Sequence, residues 1–293
     1  MIVVSISTFN TPNHLLSRAI NSVLNQTVQD LVIVVIRDGG REVDASVADD
    51  RIIWLPLSEN NGTYFAHSVV IEALKDRGRS TLWKPHDADD WSEPDAVERL
   101  QACSVEGVGF SGYRLHLNAT SSREIRPQRK LLVNPSPQAR FPTVRKFGLA
   151  AKRHGVKVPV ALRNPIRAGT HWACGLYSID RVLLAGGIHP EFRTAYDSLF
   201  VHLVARSGRV GLTDAITYNY DRGHNALSLT RDIQTNGVSE ARIQNLQRLE
   251  EMYRNNFPQQ SECPASRVSD RTQSRRAFYA EELRQIMTAR LGL

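Results

Sequence analysis

Long apolar runs are missing from this chain. No stretch approaches the roughly 18 consecutive apolar residues that a membrane span needs, so no transmembrane segment is expected. The apolar opening from Met1 to Ile6 lacks the basic flank and the length of a signal peptide, and a cytoplasmic location is the expectation that follows. Cysteine is scarce as well. Cys103, Cys174 and Cys263 are odd in number, far apart and in no CxxC pair, which argues against a disulfide framework or a zinc site and for buried, reduced thiols. No internal repeat is found.

What is present is ordinary globular material: 293 residues, 41% hydrophobic and 23% charged, enough for one large domain or one domain with appendages. The first 117 residues alternate strand-like and helix-like runs. Ile2-Val3-Val4-Ser5-Ile6-Ser7 is rich in β-branched residues and bounded by Asn10-Thr11-Pro12, so it reads as a buried strand. Asn13 can cap a helix whose Leu15, Leu16, Ala19, Ile20, Val23 and Leu24 recur at helical spacing. The run Leu31-Val32-Ile33-Val34-Val35-Ile36 stops at Asp38-Gly39-Gly40. Further strands are expected at Arg51 to Leu55 and Ser80 to Trp83, with a helix from Tyr64 to Leu74. Apolar runs that do not alternate suit strands covered on both faces, the signature of a parallel α/β sheet. In such sheets ligands bind outside the carboxyl ends of the strands, where both Asp38 and His86-Asp87-Ala88-Asp89-Asp90-Trp91 fall.

From Asn118 to Asn164 this rhythm is lost among five prolines, and the stretch reads as a long excursion with little sheet. Between Arg123 and Arg167, twelve basic residues face one acid, Glu124, so this segment carries +11 of a net charge of +7 and the remainder carries −4. A basic segment on a slightly acidic body points to an anionic partner or to a solvated basic loop. Order is expected to return from Gly169 to Ile179, with a helix from Asp197 to Ala205 and a strand near Gly211 to Tyr218. Two amphipathic helices follow, one capped by Ser239 and one carrying Phe278, Leu283, Ile286, Met287 and Leu291, which could pack on the body or pair two subunits.

The chemistry concentrates in Asp87-Ala88-Asp89-Asp90. Carboxylates this close repel by about 1 kcal/mol per pair at 4 Å even in water, and a divalent cation removes that penalty. Oxygen-only ligands suit Mg²⁺ or Mn²⁺ rather than zinc; the bland alternative is a solvated acidic turn. Four pieces in order tip the balance: Val4-Ser5-Ile6-Ser7-Thr8-Phe9-Asn10, Ser22-Val23-Leu24-Asn25-Gln26-Thr27, Arg37-Asp38-Gly39-Gly40 and Asp87-Ala88-Asp89-Asp90-Trp91. Together they resemble the family 2 glycosyltransferases of the GT-A fold, over roughly residues 1 to 230 and weakly from 118 to 168.

The resemblance implies a Rossmann-like, mostly parallel central sheet flanked by helices, with a C-terminal helical extension. Residues 1–117 would be its nucleotide-sugar-binding α/β half, 118–230 the acceptor-binding and catalytic-base half of the same domain, and 231–293 the C-terminal helices. It implies an inverting, metal-dependent hexosyl or N-acetylhexosaminyl transfer from a nucleotide diphosphate sugar, UDP-sugar being the favoured donor. Ser7 and Asp38 match the positions that contact the donor base, although Arg37 stands where the family often has a second acid. Asn61 falls in the loop beside the nucleotide. Asp89 and Asp90 match the DxD ribose and metal positions, with Asp87 as the additional acid.

In the second half, Gly186-Gly187-Ile188-His189-Pro190-Glu191-Phe192 followed by Tyr196-Asp197 looks like the family's approach to an acidic pair. Asp197 takes the catalytic-base position, while Tyr196 replaces the usual Glu; Asp197 could equally cap the helix that follows it. Arg222, His224 and Ser228 match the closing loop, with Arg222 and Ser228 on the phosphates and His224 completing the metal shell; His86 is the competing metal ligand. Trp91, His171 and Trp172 are candidate walls of the sugar and acceptor sites, because flat faces pack on sugar rings, although core tryptophan is the commoner fate.

Two rivals remain. A sugar nucleotidyltransferase would need a glycine-rich basic loop after the first strand, where Thr8-Phe9-Asn10-Thr11-Pro12 stands. A non-catalytic nucleic-acid-binding protein would need exposed aromatics among its basic residues, and only Phe141 and Phe147 lie there, so no nucleic acid is expected. The acceptor itself is expected to be anionic or borne by an acidic carrier protein.

Overall fold

Apolar, β-branched runs build the first strands. In the computed structural model, which describes residues 1–43, 47–118, 120–129, 132, 170–192, 196–221 and 269–292, the run at the start forms β1 (Ile2–Thr8). It is followed by α1 (Asn13–Leu24), β2 (Leu31–Asp38), β3 (Ile52–Leu57), α2 (Thr63–Leu74), β4 (Leu82–Asp87), the two-residue β5 (Trp91–Ser92), α3 (Ala96–Cys103), β6 (Val108–His116) and β7 (Ser122–Ile125). The remaining elements are β8 (Gly175–Ser178), α4 (Ile179–Leu184), α5 (Tyr196–Arg206), β9 (Gly211–Asp221) and α6 (Asp270–Leu291).

The strands form one sheet in the order β3-β2-β1-β4-β8-β6-β9-β5, with β7 on the flank of β6. The first four are parallel, as expected, but β8 joins β4 and β6 antiparallel, so the whole sheet is mixed. Successive residues of β1 point to opposite faces. Ile2, Val4 and Ile6 pack with Leu16, Ile20 and Val23 of α1, while Val3 belongs to the larger core under α2. With both faces covered, neither face of β1 or β2 can afford polar alternation, and that is why these runs are continuous.

Three expectations shift in detail. Asn13 is the first residue of α1 rather than its cap; Pro12 holds that position and no side chain caps the helix. The fourth strand runs past Trp83 to Asp87, because Lys84, Pro85 and His86 are buried within the sheet. In α6 the inward stripe is Tyr279, Ala280, Leu283 and Met287, leaving Phe278 66% exposed. Tyr279, four residues before Leu283, lies over it on one helix face, whereas Phe278 is turned away. This helix packs against the body: the Tyr279 hydroxyl accepts the Ser58 N–H at 3.0 Å, and Arg276 pairs with Glu72 at 3.4 Å. Most of the basic segment, Cys263 and the Ser239 helix lie outside the described residues.

Candidate active site

The strand order turns around between β1 and β4: β1 continues to β2 on one side and skips to β4 on the other. At such a switch point the connections leave in opposite directions and open a crevice outside the carboxyl ends. Ser7 and Asp87 are register partners at that edge. Asp38 ends the neighbouring β2.

Asp38 is buried and satisfied. Its Oδ1 accepts the Asn61 N–H at 2.7 Å and its Oδ2 the Gly62 N–H at 2.6 Å, pinning the loop that enters α2. Gly39 lets that loop close, for it sits at φ 70° and a Cβ there would lie 2.7 Å from the Asn60 nitrogen. Ser7 Oγ bonds Thr63 Oγ1 at 2.5 Å, and the Asn61 side chain donates to the Glu59 carbonyl. The donor-side candidates Ser7, Asp38 and Asn61 therefore share one wall built by the loop that enters α2 and by Thr63 at its start.

The acidic turn is arranged differently. Asp90 is 1% exposed; its Oδ1 accepts the Asp221 N–H at 2.8 Å, while its Oδ2 is buried without a hydrogen bond. Burial raises its pKa well above the carboxylate range and the charges of Asp89 and Asp87 raise it further, against the Asp221 N–H and the Tyr218 hydroxyl. Asp87 is pushed up to about 6, first by burial and then by Asp89 and Asp197, with His171 and Lys84 opposing. Arg18 of α1 braces the turn, its Nη2 donating to the Asp89 carbonyl at 2.5 Å and to Asp221 Oδ2 at 3.1 Å. The same guanidinium lies 4.1 Å from the ring centre of Trp91, which stays partly exposed at the rim.

Asp90, buried beside two more carboxylates, belongs to a donor set that fits a hard divalent cation. Among the described residues, no group of three or more His, Cys, Asp or Glu side chains is assembled as a metal site. His86 is buried with Nδ1 against the Asp87 carbonyl at 2.8 Å; burial lowers its pKa well below the usual range, so it is neutral. His224, Arg222 and Ser228 lie outside the described residues.

Asp197 opens α5 and comes from the other half of the chain. Its Oδ1 accepts the Tyr64 hydroxyl at 2.9 Å, and its Oδ2 lies 3.1 Å from His171 Nε2. His171 Nδ1 in turn lies 3.9 Å from Asp87 Oδ2. Burial lowers the His171 pKa, but the hydrogen bond and charge of Asp197, with the charge of Asp87, outweigh that and leave it raised. His171 thus stands between the two carboxylates rather than serving only as a wall. Trp172 is a clear departure from expectation. It is 2% exposed and packs edge-on against His67, Tyr64, Trp83 and Phe200, so it is the floor beneath the site and offers no face to a sugar.

Sequence reasoning missed Tyr64, Arg18 and Lys84. The Lys84 ammonium is buried, donates to the Ala173 carbonyl at 2.6 Å and has a pKa lowered by burial to about 8, with Cys174, Asp87 and Asp90 opposing that shift. A lysine inside an otherwise apolar strand was the signal available for it.

No family model matches the sequence, and no curated protein matches it as a relative. Solved structures do resemble it in shape. TarS 1-349 from S. aureus in complex with UDP superposes with a TM-score of 0.51 at 13% identity, over 93% of this chain and 76% of that one. The fold is a glycosyltransferase-like Rossmann fold. The same protein in complex with UDP-GlcNAc gives a TM-score of 0.50 at 13% identity, over 95% of this chain and 79% of that one. A further TarS 1-349 structure gives 0.48 at 14% identity over 75% of this chain, which spans only 60% of its length. Among the described residues no helix is long and apolar enough to cross a membrane.

Proposed function

We propose that this protein is a nucleotide-sugar-dependent glycosyltransferase of the inverting, GT-A, family 2 type, with UDP-sugar as donor. One observation carries the reading: an acidic turn and a separate aspartate, Asp197, meet across a switch-point crevice, joined through His171. The solved structures of similar fold hold UDP and UDP-GlcNAc, which supports that donor class. The loop that enters α2, with Ser7, Asp38 and Asn61, would receive the base, and Asp87 and Asp89 the ribose and phosphate side of the donor.

Asp89 and Asp90 would hold Mg²⁺ or Mn²⁺ with His224, and the cation would neutralise charge on the departing diphosphate. Asp197 takes the proton from the acceptor hydroxyl as that oxygen bonds to the anomeric carbon and the carbon–diphosphate bond breaks, so the nucleoside diphosphate leaves with the bonding electron pair. Trp91, its ring packed against Arg18 and His116, is a candidate wall of the acceptor side. The basic segment suits an anionic or carrier-borne acceptor, and acceptor affinity that falls steeply with added salt is the expected sign.

The test is nucleotide release from UDP-sugars, with water or a glycan as acceptor, in Asp197→Asn. Turnover should fall about 10²- to 10⁴-fold while donor affinity is retained. Unchanged turnover in that variant would remove Asp197 from the chemistry.

A further inference from the structure

We propose that His171 is a positioning residue for the base: its Nε2–H holds the Asp197 carboxylate oriented towards the crevice. The inference rests on the transferase reading above and adds a residue whose role that reading does not define.

The geometry supplies each step. His171 Nδ1 accepts the Ala173 N–H at 3.4 Å, which leaves Nε2 to carry the proton and donate it to Asp197 Oδ2, 3.1 Å away. The ring lies beside Tyr218 and Tyr220, with centroids at 6.5 and 5.6 Å, and its backbone precedes the 3₁₀ turn Trp172–Cys174. Tyr64 donates to the other oxygen of Asp197, so the carboxylate plane is held at both ends. A carboxylate oxygen has more than one lone pair, so accepting one such bond does not by itself end its capacity to take a proton.

Asp197 faces Tyr64 from α2, Asp87 from β4 and Tyr177 from β8, and Asp87 brings charge of the same sign. Donors to a carboxylate favour its ionised form, so their removal raises its pKa and weakens it as a base. His171, itself facing Asp87, Asp197 and Lys84, stands between the two acids with its Nε2–H turned to Asp197.

The experiment is the pH profile of nucleotide release from UDP-sugars by the full chain. In His171→Leu the acid limb should move to higher pH by about one unit, costing roughly tenfold in rate on that limb. His171→Gln, which retains an N–H near the Nε2 position, should recover much of the shift, and Tyr64→Phe should move the limb in the same direction. An unmoved limb in both His171→Leu and Tyr64→Phe, or a rate loss uniform in pH that Gln does not rescue, overturns the proposal. Failure of the wild type to release nucleotide from any nucleotide sugar would instead sink the transferase reading. Imidazole ¹⁵N NMR separates the two: His171 should show the Nε2–H tautomer, and its Nε2 signal should move in Asp197→Asn. A His171 signal that Asp197→Asn leaves unmoved contradicts the pairing itself.

Discussion

The carboxyl ends of β2 and β4 both deliver aspartates to the same edge of the sheet, yet they treat charge in opposite ways. At the end of β2, Asp38 is buried against two backbone amides, so its charge is neutralised by the chain itself. At the end of β4, Asp87, Asp89 and Asp90 crowd together, one buried oxygen has no hydrogen bond, and the pKa values of Asp87 and Asp90 are raised. The first arrangement is what a fold does with a carboxylate it uses as a fastener. The second costs stability, and such sites persist where a ligand supplies the missing counter-charge.

The largest expected effect concerns the floor under the charged end. Trp172→Ala should destabilise the protein by about 3–5 kcal/mol in denaturant unfolding, as for any large core aromatic. Trp91→Ala at the rim should cost about 1–2 kcal/mol, because a partly exposed ring and its cation–π contact with Arg18 are lost. Equal losses would mean that floor and rim are misassigned.

The carboxylates themselves provide a sharper contrast. Asp38→Ala strands two amides and should cost about 2–4 kcal/mol. Asp90→Asn replaces a buried carboxyl whose ionisation is already disfavoured and should leave stability within about 1 kcal/mol of the wild type, or above it, when no divalent cation is present. Matching destabilisation by both substitutions would break the comparison.

A pH-dependent effect reads the apolar surroundings of the floor. His67 is fully buried, and burial lowers its pKa from 6.5 to about 3. The unfolded chain therefore binds one more proton than the folded one between those values, and stability is complete above pH 6.5 and lost as pH falls through the window. Its contribution to the slope is about 1.4 kcal/mol per pH unit, and His67→Gln should remove that share. A slope the variant leaves unchanged would mean that His67 is hydrated in solution.

The same contrast explains how much was legible beforehand. Continuous apolar runs announce strands covered on both faces, so β1, β2 and the crevice at their carboxyl ends could be read from local pattern alone. The acidic turn was visible because four adjacent residues carry it. Asp197, by contrast, was reached only through resemblance, and its partners His171 and Tyr64 lie 26 and 133 residues away, where only the tertiary fold brings them together. Trp172 illustrates the converse: a tryptophan beside a candidate site residue looks the same in sequence whether its ring faces the crevice or the core. The backbone of the 3₁₀ turn decides, sending His171 to the site and Trp172 beneath it.

The central claim is that the charged end of β4 exists to hold a nucleotide diphosphate sugar. Calorimetric titration of UDP-, GDP- and dTDP-sugars, with and without Mn²⁺, tests it most directly when repeated on Asp90→Ala. The account predicts cation-dependent binding of UDP-sugar that the substitution abolishes. Binding of no nucleotide sugar, or binding that neither the cation nor Asp90→Ala alters, would contradict it.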